Sequence, residues 1–376
     1  MVYLDNAATT KPSINALNKA EVFNSENYFN PSGLYSGGIS ALKEIKSAKE
    51  YILSTLRALN KDICFTSCGS ESDNLAIFGL SKRGYYCTTK GEHSAVYKSF
   101  LELKNRGKQV FFFDLNKDGS VNLEKLLEFV KENEVGFISV MHVNNETGAI
   151  NDVNFIAKEV KKINPKIIFH VDGVQAYGKI EYAISNDIDL YSISAHKINA
   201  LKGVGALIFK KGLTLTPLIF GGGQENGLRS GTENVFGIKV FEFAAKEKYE
   251  NIKDNFQKVL CLKNYIKDNL NKEDFEIISS KNSSPYILTV SAKGLRGETV
   301  MHLLEKEGYI VGNGSACSSK NRYSRVIEAC GYKKDVLEGV VRISFNPENT
   351  LEEIKEFVNV FNLTVENLKK VMQWRL

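Results

Sequence analysis

The chain is predicted to be an α/β protein, with a large unit built on a mostly parallel sheet covered by helices and a smaller α+β unit beside it. Three observations point there. Apolar runs of strand length alternate with stretches of helical period from about residue 61 onward. Small polar clusters follow several of those runs directly, as they do at the carboxyl ends of parallel strands. Beyond about residue 250 the rhythm changes to long polar helices. A length of 376 residues suits two domains. The predicted division assigns 12–253 to the large unit, and 1–11 with 254–376 to the small one.

In chain order, Lys61 to Ser67 is a short apolar strand, and Leu75, Ile77 and Leu80 mark the helix after it. Asp118-Gly119 is a turn signal, and Asn122 is placed to cap a helix carrying Leu123, Leu126, Leu127 and Val130 on one stripe. Gly136 to Val143 reads as a buried strand, Phe155 to Ile163 as a helix and Lys166 to Val171 as the next strand. This succession favours parallel pairing with helices on both faces. Tyr286 to Val290 is a further strand. Ile354, Phe357, Phe361, Val365, Leu368 and Met372 recur at helical spacing near the end, a core-packing stripe. There is no internal repeat and no low-complexity linker.

Composition narrows the function classes. Hydrophobic residues make up 43% and charged residues 25%, ordinary values for a soluble enzyme with a sizeable core. The net charge of +5 is small for this length and reads as a lysine-rich solvated surface, so no nucleic-acid partner is expected. No apolar run reaches membrane-spanning length, and Met1-Val2-Tyr3-Leu4-Asp5-Asn6 has no secretory pattern, so no membrane partner is expected. The cysteines at 64, 68, 87, 261, 317 and 330 lack paired CxxC spacing, which argues against a metal site. Reduced thiols in a cytoplasmic location are the expectation.

The chemistry is carried by clusters at predicted strand ends. Ser192-Ile193-Ser194-Ala195-His196-Lys197 follows the apolar run Ile188 to Tyr191, setting an amine beside small hydrogen-bonding groups. A phosphorylated aldehyde held as a Schiff base needs that combination. Asp172-Gly173-Val174-Gln175 closes the run Ile167 to Val171. A carboxylate there suits the ring nitrogen of pyridoxal phosphate, which must stay protonated to act as an electron sink. Gly69 and Ser70 stand where strand gives way to helix, and read equally as an anion cradle or as a turn with Ser70 as cap. His93 offers an imidazole to stack on a ring, and Asn144 an amide after the strand ending at Val143. Gly221 to Thr232 is a glycine-rich loop with Arg229 and Thr232 near its end.

With these motifs assembled, the chain resembles the cysteine desulfurases of the NifS/IscS type, within the class V aminotransferases of fold-type I pyridoxal phosphate enzymes. The resemblance is nearly end to end. It is carried by Tyr3-Leu4-Asp5-Asn6-Ala7-Ala8-Thr9-Thr10, Asn30-Pro31-Ser32, Glu71-Ser72-Asp73-Asn74-Leu75-Ala76, Met141 to Glu146, Arg229-Ser230-Gly231-Thr232 and Gly314-Ser315-Ala316-Cys317-Ser318-Ser319. It implies pyridoxal 5'-phosphate as cofactor, Lys197 as its Schiff-base lysine, Asp172 at the ring nitrogen and Gln175 at the ring oxygen. It implies His93 as the stacked base, Asn144 as a contact to cofactor and substrate, and Gly69, Ser70, Ser194 and His196 around the phosphate. Thr232 would reach that phosphate from the partner of a homodimer, and Arg342 would grip the substrate carboxylate.

Cys317 decides the reaction that the resemblance implies: L-cysteine gives up its sulfur to Cys317 as a persulfide and leaves as L-alanine. The persulfide would then serve a sulfur-acceptor protein, an iron–sulfur scaffold or a thiolation protein. An ordinary thiol is only roughly 3% thiolate at neutral pH. Cys317 therefore needs activation, or a loop that brings it to a base such as His93; Gly312, Gly314, Ser315 and Ala316 are small enough for the latter. The chain departs from the family's pattern at Leu34-Tyr35, where a histidine is usual, at Ala200-Leu201, where Gly-Pro is usual, and at Asn321-Arg322-Tyr323-Ser324-Arg325. Alternatives on the same framework are selenocysteine lyase, transaminase and a non-catalytic scaffold subunit.

Overall fold

A computed structural model describes residues 1–312 and 323–373. Its strands in chain order are β1 (Val2–Leu4), β2 (Lys61–Thr66), β3 (Tyr85–Thr89), β4 (Val110–Phe113), β5 (Val135–Met141), β6 (Ile168–Asp172), β7 (Leu190–Ser194), β8 (Gly205–Lys210), β9 (Phe275–Ile277), β10 (Ile287–Ala292), β11 (Tyr309–Val311) and β12 (Val340–Ser344). Seven of them form one sheet in the order β2-β8-β7-β6-β5-β3-β4. Pairing is parallel from β7 through β4, whereas β8 runs antiparallel to both neighbours. The mostly parallel sheet expected from the alternating rhythm is present, with β8 as its reversed member.

Helices cover both faces because the strands are apolar on both. Along β5, β6 and β8, successive residues enter opposite cores: Phe137, Ile168 and Leu207 pack on one side, and Ile138, Phe169 and Ile208 on the other. The first side is closed by Leu75 and Ile77 from helix Gly69–Phe78 and by Val96 and Phe100 from helix Ser94–Asn105. The second receives helices Ser36–Thr55, Leu123–Glu132, Val153–Ile163 and Val235–Glu250. The Leu123–Glu132 helix forms as its sequence dictates: Asn122 accepts a hydrogen bond from the Lys125 N–H, Leu126 and Val130 are buried, and Leu123 and Leu127 pack at the margin. Asp152 caps the Val153–Ile163 helix in the same way, so it starts two residues before the expected Phe155.

A separate core gathers Leu4 with residues between Val259 and Val365. It packs the antiparallel sheet β12-β10-β9, the parallel pair β1-β11, and the helices Ile252–Asn269, Gly297–Lys306 and Leu351–Gln373. Ile354, Phe357, Phe361 and Val365 of the last helix are buried in it. Isolated bridges Asp5↔Ser344 and Gly312↔Arg342 bring three distant segments to one edge. That edge faces the carboxyl ends of the large sheet. Among the described residues, no helix is long and apolar enough to cross a membrane.

Candidate active site

The carboxyl ends of β2, β3, β5, β6 and β7 open on a cavity of about 350 Å³. Ligand sites in such sheets form there because chain reversals leave a crevice between loops. Asp172 is the last residue of β6 and is buried. Its Oδ1 accepts a 3.0 Å hydrogen bond from the Val174 N–H. Burial pushes its carboxyl up to about 6, against the opposing pull of that N–H and of Lys197. Beside it, β7 ends at Ser194 and a short 3-10 turn, Ala195–Lys197, carries Lys197 into the cavity. The Lys197 Nζ donates to the carbonyls of Ala7 at 2.6 Å and Ala8 at 2.7 Å. Backbone oxygens of the N-terminal segment thus hold the ammonium across from Asp172.

The cavity has a preformed anion cradle. Gly69 begins the helix that follows β2, and Ser70 stands beside it at the cavity wall. A Cβ on Gly69 would lie 2.9 Å from Val174 Cγ2 and 3.3 Å from Ser194 Cβ, so the close approach requires glycine. Ser194 Oγ is buried and has no hydrogen-bond partner. His196 lines the same wall, its Nδ1 3.1 Å from Thr9 Oγ1. An orphaned hydroxyl beside a helix N-terminus is a fit for a phosphate oxygen.

His93 precedes helix Ser94–Asn105, and its Nδ1 accepts from the Ala95 N–H at 3.2 Å. In the neutral ring the proton therefore sits on Nε2. The side chain reaches open cavity space while protein surrounds it. That enclosure, then the charges of Lys197, Arg325 and Arg342, push its pKa down to about 4. Asp73, His93 and Asp172 each bring one side-chain atom within 4.8 Å of the others. Burial, then Asp172, raise Asp73 well above the usual carboxyl range. Glu92, buried next to His93, is pushed up to about 8 by burial; Thr89 Oγ1 at 2.7 Å and the Met141 N–H at 3.2 Å donate to its Oε1.

Arg342 comes from the other core, on β12. Its Nη2 lies 2.7 Å from Asp5 Oδ1 and its Nη1 donates to the Asn145 carbonyl at 2.9 Å. The Nε is buried without a hydrogen-bond partner. Arg325 also lines the cavity; it donates to the carbonyls of Lys90 and Glu92 and stacks 3.8 Å from the centre of the Tyr97 ring.

The structure therefore brings Gly69, Ser70, His93, Asp172, Gln175, Ser194, His196, Lys197 and Arg342 to one cavity. Asn144 is placed elsewhere. Its amide donates to the Gly91 carbonyl and accepts from the N–H groups of Glu146 and Thr147, bracing the turn, and it is Asn145 that lines the cavity. A polar residue after a strand has two fates, wall or brace, and the local sequence is the same for both. Thr232 lies in a separate depression with Thr66, Ser67 and Arg229, away from its own chain's cavity. Cys317 lies outside the described residues. Asp5, Asp73, Glu92 and Arg325 were not assigned from sequence. Asp5 and Asp73 sit inside motifs that carry the family resemblance, whereas the carbonyls of Ala7 and Ala8 leave no side-chain signal at all.

This constellation is that of an enzyme, and residues 2–357 match the family described as aminotransferase class-V, to which the chain belongs. A relative named NifS/IcsS protein homolog, from Lactobacillus delbrueckii subsp. bulgaricus, is 35% identical over 382 residues and covers 99% of both chains. A protein of Nostoc sp. named cysteine desulfurase is 33% identical over 384 residues, covering 100% of this chain and 95% of its own. A solved structure named NifS-like protein superposes with a TM-score of 0.90 at 34% identity, over 97% of this chain and 99% of the other. The X-ray structure of a NifS-like protein from Rickettsia africae gives 0.88 at 28% identity, over 97% and 99%.

Proposed function

We propose that the chain is a pyridoxal 5'-phosphate-dependent cysteine desulfurase, converting L-cysteine to L-alanine and receiving the sulfur on Cys317. The observation that carries this reading is Lys197 set against Asp172 in one cavity, whose lining includes the orphaned Ser194 hydroxyl and the Arg342 guanidinium. Gly69, Ser70, Ser194 and His196 hold the phosphate. Asp172 presents a carboxylate to the ring nitrogen, and Gln175 a hydrogen bond to the ring oxygen. When bound, the cofactor supplies a conjugated, protonated ring that takes up the electron pair left as the substrate's Cα–H bond breaks.

This chain's own residues supply the rest. Arg342 binds the substrate carboxylate through parallel hydrogen bonds. Neutral His93, at the cavity wall, would keep a proton on Nε2. Lys197 anchors the cofactor and moves a proton at the α-carbon. The Cys317 thiolate attacks the substrate sulfur: the S–S bond forms, the C–S bond breaks, and the carbon fragment takes up one proton at its β-carbon and regains one at its α-carbon to become alanine. We place the division between the two units at residues 12 and 253, with Arg342 and Cys317 contributed by the smaller one. A homodimer, in which Thr232 reaches the neighbour's phosphate, and a sulfur-acceptor protein complete the reading.

The test is to incubate reconstituted protein with L-cysteine and a reductant and to assay alanine and sulfide together. Equal amounts of both are expected. Pyruvate with sulfide, or transfer of the amino group without sulfide, sinks the assignment.

A further inference from the structure

We propose that Lys179 is a positioning residue that holds the Gln175 amide with its N–H side turned to the cavity, presenting a hydrogen-bond donor to the ring oxygen of the bound cofactor. The proposal rests on the cofactor reading above and deepens it. Gln175 is buried between two polar groups. Its Nε2 donates to the Ala7 carbonyl at 2.8 Å, and its Oε1 accepts from Lys179 Nζ at 2.7 Å. A carbonyl oxygen only accepts, so the atom facing Ala7 must be the amide nitrogen. An amine facing the other side then meets the amide oxygen. The reversed amide would set two acceptors against each other at Ala7 and would lose the bond that Lys179 Nζ donates to Oε1. With this orientation held, one of the two Nε2 protons serves Ala7 and the second is left for a ligand in the cavity that Gln175 lines.

Lys179 has no evident packing reason to be a lysine. It is buried, and a methionine would fill similar space without an amine to desolvate. Burial, then the positive charges of Lys197, Lys248 and Arg342, hold its amine well below the usual lysine range. Gly178 takes φ +68° in the turn that joins Gln175 to Lys179, four residues on. The polar end of Lys179 bonds Gln175 and lies 6.0 Å from the centre of the Tyr286 ring. A misdirected amide oxygen would face the cofactor's own oxygen and repel it.

The experiment compares reconstituted wild type with Lys179→Met, Lys179→Arg, Gln175→Ala and the double variant Gln175→Ala/Lys179→Met. Pyridoxal phosphate affinity, the pH midpoint of the bound chromophore's visible band and the melting temperature of each apoprotein are measured. Lys179→Met is expected to weaken cofactor binding about tenfold and to shift the midpoint in the same direction as Gln175→Ala. The double variant should match Gln175→Ala alone, because the lysine acts through the glutamine. Lys179→Arg, which keeps a donor, should restore most of the wild-type midpoint. Wild-type affinity and midpoint in Lys179→Met, or additive effects in the double variant, overturn the proposal. Should Lys179→Met fail to fold, Lys179→Arg and Lys179→Gln decide it: a midpoint displaced as in Gln175→Ala overturns it. A wild-type chain that binds no pyridoxal phosphate defeats the cofactor reading instead.

Discussion

The guanidinium of Arg342 and the carboxylate of Asp5 form an ion pair at 2.7 Å, joining residues 337 positions apart in the lining of the cavity. Gly312 lies against the same edge. A Cβ there would stand 2.6 Å from Asp5 Oδ1, 3.0 Å from Arg342 Nη2 and 3.1 Å from Arg342 Nε. A side chain at 312 would therefore crowd the Nε and Nη2 edge of the guanidinium, the edge that a substrate carboxylate would take.

Gly312→Ala is expected to raise KM for cysteine about tenfold or more while the bound cofactor's absorption stays as in wild type. Arg342→Lys should cost about a hundredfold in kcat/KM, since an ammonium does not reproduce two parallel hydrogen bonds. Steady-state kinetics beside absorption spectra check both. A Gly312→Ala enzyme with wild-type KM removes the fork from the substrate site.

Lys197 and Cys317 govern different halves of the proposed chemistry. Lys197→Ala should lose any borohydride-reducible link to the cofactor. Cys317→Ser should keep the cofactor and change its spectrum with cysteine, yet release almost no sulfide or alanine, because a serine oxygen is a poor nucleophile toward sulfur at neutral pH. Mass spectrometry after one turnover should find an added sulfur on the peptide containing Cys317. Sulfur on Cys64, Cys68 or Cys330 instead would contradict the mechanism; burial pushes the thiols of Cys64 and Cys330 up, which keeps them protonated.

Ser194→Ala removes the orphaned hydroxyl from the cradle. With no hydrogen bond to lose in the apoprotein, its melting temperature should hold or rise slightly, while cofactor affinity falls about tenfold. Equilibrium titration with pyridoxal phosphate and calorimetry of the apoprotein separate the two effects. Unchanged affinity would move the phosphate away from Ser194.

Glu92 provides the pH test. Its folded pKa of about 8 lies above the unfolded carboxyl value, so the folded state binds the extra proton between about 4 and about 8. The stability linked to that proton is full below about pH 4 and is lost as pH rises through 8. Glu92→Gln, always neutral, should escape the loss. Melting curves of the two apoproteins should thus show the variant gaining on wild type as pH climbs from about 5 to about 9. A constant difference would mean that Glu92 is already ionised in the fold.

Much of this architecture was legible before folding. Alternating apolar runs announced the parallel sheet, and Asn122 and the Leu126/Val130 stripe a helix that forms as expected. The reversed strand β8 was not legible, since an apolar run buried on both faces carries no mark of its direction. Asn144 against Asn145 was equally hidden, because which of two adjacent amides faces a cavity depends on the turn's own hydrogen bonds.

By itself the sequence determined which chemical groups stand at strand ends: Lys197 beyond β7, Asp172 closing β6 and Gly69 opening a helix. Those positions follow from local periodicity and from the fact that strands stop where small polar residues begin. The tertiary structure alone decided that Asp5, Gly312 and Arg342 meet, that Lys179 orients Gln175, and that the carbonyls of Ala7 and Ala8 hold Lys197. Most of these contacts join segments of different cores or opposite ends of the chain. Their geometry is set by strand register and by the packing of one core on the other, neither of which leaves a periodic trace along the chain.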